Sequence, residues 1–348
     1  MNSLISIQIL RAAAAWLVVF SHYMQFFLIR HLVNDGWKNY YWLGHFGVDL
    51  FFVISGFTMF YSLSNRMCSA KEFFSRRLLR ILPAYWFFTF LMALLSLLYD
   101  KEFSYTGWNW NTLIASLFFT LSKNPSGVGY FPLLTVGWTL SYEMFFYALL
   151  SLCILAFGRL VFLACTFTLI ALPLLWDKHW IFGILICQKL LYAFVFGIVL
   201  GYAYIRLKSI RPRLLYVLGV SMFVLGAILL SSGQIYVKPI QIGGDEKRPL
   251  LAFLFIGSAL CFESILLKIK VSAFDFLRYL GDISYSTYLL HTLVIGVFFH
   301  YIGSLDSAVE ELLLLLISSL TIIAISHLSF QYIETGPFSK ILKRKLIS

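Results

Sequence analysis

Ionisable side chains inside long apolar runs are the residues best placed to do chemistry in this sequence. Arg11, His22, Asp49, Glu143, Lys189, Glu263 and His291 all sit in such runs. A charge near the centre of a bilayer costs about 2.5–3.5 kcal/mol on insertion scales, so each is a functional candidate by default. Arg11 and His22 share the first run. At about 100° per residue their spacing returns to within about 20° of the same direction, with a rise of about 16 Å. Both therefore point one way at different depths. Asp49 lies in FGVDLFFVISGF and Glu143 in GWTLSYEMFFY. A carboxylate beside an imidazole fixes its tautomer and supports imidazolium formation, which suits a general base. The same pairing also serves as a helix-to-helix ion pair. Trp138, Tyr142, Phe145, Phe146 and Tyr147 surround Glu143. They either desolvate it or form an interfacial aromatic belt, and the belt is the simpler account of Trp138. Arg77 and Arg80 are three apart and share a helix face, with Arg76 beside them. Paired guanidinium groups suit phosphate recognition, and they also suit plain anchoring at a membrane surface. Lys189, next to Gln188, either pairs with a carboxylate or touches an acceptor; Glu263 and His291 have the same standing. Asp282 reads as the cap of a late helix.

These residues need a scaffold, and composition supplies its class. The chain has 348 residues, 60% hydrophobic and 12% charged. Average soluble domains are about 45–50% apolar and about 25% charged. The sequence therefore excludes a soluble globule and a disordered tail, and it predicts an all-α polytopic membrane protein. Long apolar runs in place of period-two alternation argue against an outer-membrane barrel. The net charge of +11 does not point to nucleic acid, because the basic residues cluster at the ends of apolar runs. The cysteines form no C-x-x-C pair and read as apolar packing residues, with no metal site.

Runs long enough to cross lie at roughly 4–28, 44–64, 81–99, 138–158, 160–176, 180–205, 214–232, 249–267, 282–303 and 311–333. That predicts about ten spans. The run near 111–121 is too short to cross and reads as an extra re-entrant or interfacial helix. One set of connections carries Arg66, Lys71, Arg76, Arg77, Arg80, Arg159, Arg206, Lys208, Arg211, Arg213, Lys268, Lys270, Arg278 and the basic C-terminus. The alternate set is about half as basic. The positive-inside rule puts the richer set and both termini in the cytoplasm. Asp49, Glu143 and His22 then fall at similar depth in the outer half, and Arg11 in the inner half. The first run continues too far for a cleavable signal peptide, and 1–348 reads as a single integral-membrane domain.

At these residues the sequence resembles the acyltransferase-3 membrane family. Within it, the similarity is to the exopolysaccharide-production and O-antigen acetyltransferase branch. Four stretches carry it: LISIQILRAAAAWLVVFSHY with Arg11 and His22, FGVDLFFVISGFTMFY with Asp49, Ser55 and Gly56, FFSRRLLRILPAYW with Arg77 and Arg80, and VGWTLSYEMFFY with Glu143. LRYLGDISYSTYLLHTLVI, with His291, adds support. Two features depart from relatives: Glu334 and Pro337 are three apart rather than two, and no hydrolase-like extracytoplasmic domain accompanies the membrane domain.

The resemblance implies acyl transfer, most often of acetyl, from cytoplasmic acyl-CoA to a polysaccharide or lipid-linked oligosaccharide hydroxyl at a bacterial inner membrane. Acyl-CoA is a donor substrate here, not a bound cofactor. Arg76, Arg77 and Arg80 would hold its phosphates and Arg11 its arm. His22 would be the base, oriented by Glu143 or Asp49. Trp138, Tyr142, Lys189 and His291 would meet the acceptor. Direct transfer and a transient acyl-His22 are both open. A different class, a transporter or flippase for a lipid-linked sugar or small anion, also uses buried charges. The clustered cytoplasmic arginines and the lack of an evident inverted repeat favour the enzyme.

Overall fold

In hydrocarbon, a backbone N–H or C=O without an internal partner costs several kcal/mol, so apolar runs of this length fold as helices. The computed structural model describes residues 4–29, 42–98, 108–127, 129–175, 190–207, 209–231, 247–269, 271–301 and 308–336. Among them the regular elements are helical, with one isolated bridge between Lys123 and Tyr130. In chain order the α-helices are α1 (Ile5–Ile29), α2 (Trp42–Asn65), α3 (Ala70–Leu98), α4 (Trp110–Leu117), α5 (Trp138–Phe157), α6 (Val161–Leu175) and α7 (Leu191–Leu207). They continue with α8 (Pro212–Ser231), α9 (Lys247–Cys261), α10 (Glu263–Leu266), α11 (Ser272–Asp282), α12 (Ser284–Tyr301) and α13 (Ala308–Ser329). A wide π-type turn, Phe330–Glu334, closes α13.

Among the described residues, six stretches are long and apolar enough to cross a membrane: Ile5–Phe27, Leu43–Asn65, Ala70–Leu98, Thr135–Leu175, Pro212–Ser231 and Val309–Glu334. A seventh appears if α11 and α12 count as one span across their break. The expected ten are not confirmed among the described residues, and part of the expected 180–205 run lies outside them. Thr135–Leu175 has 41 residues and covers two of the apolar runs; at about 1.5 Å per residue it is long enough for two crossings. Helices α7 and α9 have 17 and 15 residues, short of a full span by length. The third helix begins at Ala70 rather than near 81, because arginines interrupt an apolar run without interrupting a helix. Helix α8 exposes Leu214, Val217, Val220, Phe223 and Ile228. An outward face of this kind is costly in water and ordinary in lipid. The chain is an all-helical membrane protein.

The described residues fall into two compact units. The first comprises Met1–Ser21, Asn39–Ser69 and Leu149–Asp282. In it, α2 packs against α7 and α9, α8 against α9, and α6 against α7. The α2–α7 contact is backbone on backbone. A Cβ on Gly56 would lie 2.3 Å from the Phe194 carbonyl oxygen, and one on Gly197 would lie 2.2 Å from that of Val53. Small residues permit such approach between helices in lipid. The start of α1 is fixed by a distant side chain. Glu263, only 6% exposed, accepts from Ile5 N at 2.8 Å and Ser6 N at 2.9 Å, one carboxylate oxygen each. An anion on the first N–H groups of a helix also matches its dipole. Asp282, expected to cap a helix, instead accepts from Gln8 Nε2 at 2.6 Å. Gln8 Oε1 in turn accepts from Arg11 at 3.2 Å.

The second unit comprises His22–Lys38, Ala70–Ala148 and Ile283–Ser348. Here α12 packs against α3 and α13, and α4 rests on α3. Asn109 caps α4 by accepting from Thr112 N at 2.6 Å. Eight residues give α4 a length of about 12 Å, too short to cross. Trp110, Ile114 and Phe118 form an exposed apolar stripe along it. Tyr23 and Ser318 join α1 to α13 by a buried hydroxyl pair at 2.6 Å.

Replacing Glu263 by Ala leaves the first N–H groups of α1 without their acceptor. The expected cost is about 1–3 kcal/mol, read as lower membrane abundance and a lower melting temperature in detergent. Glu263→Gln should fall between, since it keeps an acceptor and loses the charge.

Candidate active site

The second unit gathers most of the residues singled out from the sequence. The later turns of α1 carry His22, half-buried. Helix α12 carries His291, fully buried. The His22 Nδ1 and His291 Nε2 atoms are 3.2 Å apart, with the rings edge to face at 66°. His291 Nδ1 lies 3.2 Å from the carbonyl oxygen of Thr287, one turn earlier on its own helix. Sequence reasoning puts His291 with the acceptor; the structure gives it His22 as a partner.

Tyr288, beside His291, ties α12 to the start of α5. Its hydroxyl donates to the Val136 carbonyl at 2.9 Å and lies 2.8 Å from Thr139 Oγ1. The turn Thr135–Gly137 leads directly into α5. Gly137 is required there by close approach: an added Cβ would stand 2.7 Å from the buried ring of Tyr85. This seating fixes the first turns of α5 and so Glu143.

Glu143 is half-buried and accepts a hydrogen bond from the hydroxyl of Tyr147, one turn further along α5. The Tyr147 ring meets Phe73 edge to face. The Arg77 guanidinium carbon sits 5.6 Å from the Phe73 ring centre and 6.0 Å from that of Tyr147. Arg77 is thus half-buried between two aromatic rings, one of which holds the carboxylate. Such contacts are worth about 0.5–2 kcal/mol and present a guanidinium in one orientation. Arg80 is exposed. Arg76 is exposed as well and pairs with Glu72 on its own helix. Trp138 is half-buried, and Tyr142 is buried with its ring perpendicular to it. In the first turn of α12, Ser286 donates to Glu334.

Asp49 and Arg11 belong to the first unit. Asp49 is fully buried, and Arg248 Nε lies 3.0 Å from its Oδ2. Arg248 opens α9 and is itself only 6% exposed. The pairing makes Asp49 a charge lock between α2 and α9. Arg11 is half-buried and donates to Gln8. Lys189 and Gln188 lie outside the described residues, as does Pro337.

Sequence reasoning placed Tyr147 near Glu143 without its hydrogen bond, and it missed Thr287 and the pairing of Arg248 with Asp49. Tyr147 follows Glu143 at the i,i+4 spacing that brings helix side chains together, and Thr287 precedes His291 at the same spacing. That signal was present. Arg248 carried no signal toward Asp49, because the contact joins helices far apart in the chain.

A protein-family model described as "Acyltransferase domain" matches residues 4–329. The chain belongs to this acyltransferase family. Its membrane helices and half-buried His22, Glu143 and Arg77 are therefore the interior of an acyltransferase. The exopolysaccharide production protein ExoZ of Rhizobium meliloti (strain 1021) is 32% identical over 274 residues, covering 74% of this chain and 79% of the relative. No solved structure matches the chain.

Removing one partner of a buried ion pair strands a charge and costs about 3–5 kcal/mol, whereas replacing both with apolar residues is close to neutral. Asp49→Leu and Arg248→Leu should each lower membrane abundance and melting temperature, and the double variant should restore both. A double variant no better than the singles would show that the pair is not the source of the loss.

Proposed function

We propose that this acyltransferase moves an acyl group, acetyl by preference, from cytoplasmic acyl-CoA to a hydroxyl of an exported polysaccharide or its lipid-linked precursor. The relative's name, an exopolysaccharide production protein, supports that acceptor class. The reading takes 1–348 as one membrane-embedded enzyme of a bacterial inner membrane with both termini in the cytoplasm. The basic bias of the connections supports that orientation.

One observation carries the mechanism: Tyr147 touches both Arg77 and Glu143. Arg77 is about 10 Å along α3 from its first residue, and Glu143 about 8 Å along α5 from its own. With α3 running outward and α5 running inward, Tyr147 brings a donor-side guanidinium and an acceptor-side carboxylate to one place. His22 lies about 26 Å along α1, in the outer third of a hydrocarbon core about 30 Å thick. The proposed orientation puts Glu143 in the outer half as well.

In this reading Arg77 and Arg80 hold the donor phosphates by planar, charge-assisted hydrogen bonds. The thioester arm reaches the level of His22. The acceptor approaches from the extracytoplasmic side past Trp138, which Tyr142 supports. His22 takes the proton of the sugar hydroxyl as its oxygen bonds to the thioester carbonyl carbon. The carbon–sulfur bond then breaks, and the leaving thiolate takes the same proton from His22. Glu143 stabilises the positive charge that His22 carries between these two events. Asp49 acts on packing rather than on the reaction.

His22→Ala should abolish acylation of the surface polysaccharide, measured by NMR of purified glycan, at normal protein abundance. Normal acylation at normal abundance would remove the base from the mechanism. Arg77→Lys keeps the charge and loses the bidentate fork, so the donor KM should rise about 10-fold with kcat little changed. Tyr147→Phe removes the hydroxyl from Glu143 and keeps the ring over Arg77. It should lower kcat about 10-fold and leave the donor KM near wild type.

A further inference from the structure

The histidine pair allows one nitrogen to be assigned to the reaction. The Thr287 carbonyl oxygen, 3.2 Å from His291 Nδ1, is an acceptor only. The proton in that hydrogen bond therefore belongs to His291 Nδ1. In a neutral imidazole the other nitrogen then holds a lone pair. That nitrogen, His291 Nε2, faces His22 Nδ1 at 3.2 Å, so His22 Nδ1 must supply the proton between the rings. The lone pair of neutral His22 is consequently on Nε2.

We infer that His291 is a positioning residue that fixes His22 as the Nδ1–H tautomer and so makes Nε2 the atom that accepts the acceptor's proton. The inference rests on the base role of His22 proposed above. It gives to a second imidazole the work that sequence reasoning gives to Glu143 or Asp49. An imidazole can do this work because it offers an in-plane lone pair and stays anchored through its own N–H. When Nε2 of His22 takes the hydroxyl proton, the new imidazolium keeps Nδ1–H directed at the His291 lone pair. The hydrogen bond becomes charge-assisted and strengthens as charge develops. No proton crosses to His291, whose Nδ1–H remains on Thr287. Burial of His291 and the Tyr288 bonds to Val136 and Thr139 hold the acceptor ring still, which is the condition for preorganised stabilisation.

The inference separates two substitutions of one residue. In His291→Gln an amide oxygen can stand in for Nε2 as acceptor, whereas His291→Leu fills the space and accepts nothing. With the full-length protein in lipid or detergent and acetyl-CoA as donor, His291→Leu should lower kcat about 100-fold with the donor KM within about twofold. His291→Gln should recover about a tenth or more of the wild-type kcat. A His291→Leu variant of normal melting temperature and near wild-type kcat would overturn the inference. So would a well-folded His291→Gln variant no better than His291→Leu. Nitrogen-15 solid-state NMR of histidine-labelled wild-type protein reads the tautomer without any change at His291. His22 signals are assigned by their loss in His22→Gln. A protonated Nδ1 and unprotonated Nε2 on His22 are expected, and the reverse pattern overturns the assignment. Full activity in His22→Ala would refute the base itself, whereas an inactive His22→Ala beside a fully active His291→Leu refutes only the role of His291.

Discussion

A polar atom inside hydrocarbon can bond only to protein, and that constraint organises this molecule. A buried charge or imidazole is therefore stabilised by a partner on its own helix or on a neighbour, and several helices here are placed so that it has one. The start of α1 has Glu263 over its first N–H groups. Asp49 has Arg248. His291 has the Thr287 carbonyl on one side and His22 on the other. Each contact costs little once made and several kcal/mol if broken, because water does not replace the missing partner. Stability and catalytic geometry therefore draw on the same set of contacts.

Burial separates the groups that hold the scaffold from those to which the proposed mechanism gives the chemistry. Asp49, Arg248 and Glu263 are all nearly or fully inaccessible, and their charges are matched by cation, carboxylate or helix N-terminus. Such groups lock helices together. His22, Glu143 and Arg77 are half-buried in one unit. Each is held by a neighbouring ring and still reachable by a substrate. A base must meet a hydroxyl and a guanidinium must meet phosphate, so partial access is what their work requires. Tyr147 sits between the last two, with its ring beside the Arg77 guanidinium and its hydroxyl on Glu143.

Much of this was legible in the residues. The helical class followed from apolar runs, and His22, Glu143 and the arginines stood out because ionisable residues in such runs are expensive. The Glu143–Tyr147 contact obeys helix spacing and could have been read. The number of spans could not be fixed the same way, since short helices such as α7 and α9 and the long stretch Thr135–Leu175 divide the apolar runs differently from hydropathy. The partners of Asp49, Glu263 and His22 were also hidden. Each contact joins helices far apart in sequence, and nothing local to either residue encodes it. Asp49 and Glu143 looked equivalent as isolated carboxylates in apolar runs. Only tertiary packing, by giving Asp49 a buried cation, distinguishes them.

The most direct test of the central claim follows a labelled acyl group through the wild-type protein. The protein is reconstituted in liposomes with radiolabelled acetyl-CoA supplied on the face that carries the Arg77 end of α3. The polysaccharide acceptor is supplied on the other. The account predicts label in the glycan as an alkali-labile ester, with one equivalent of free CoA released on the donor face. Label that stays with the donor while a glycolipid crosses the bilayer unmodified would contradict it and identify a transporter instead.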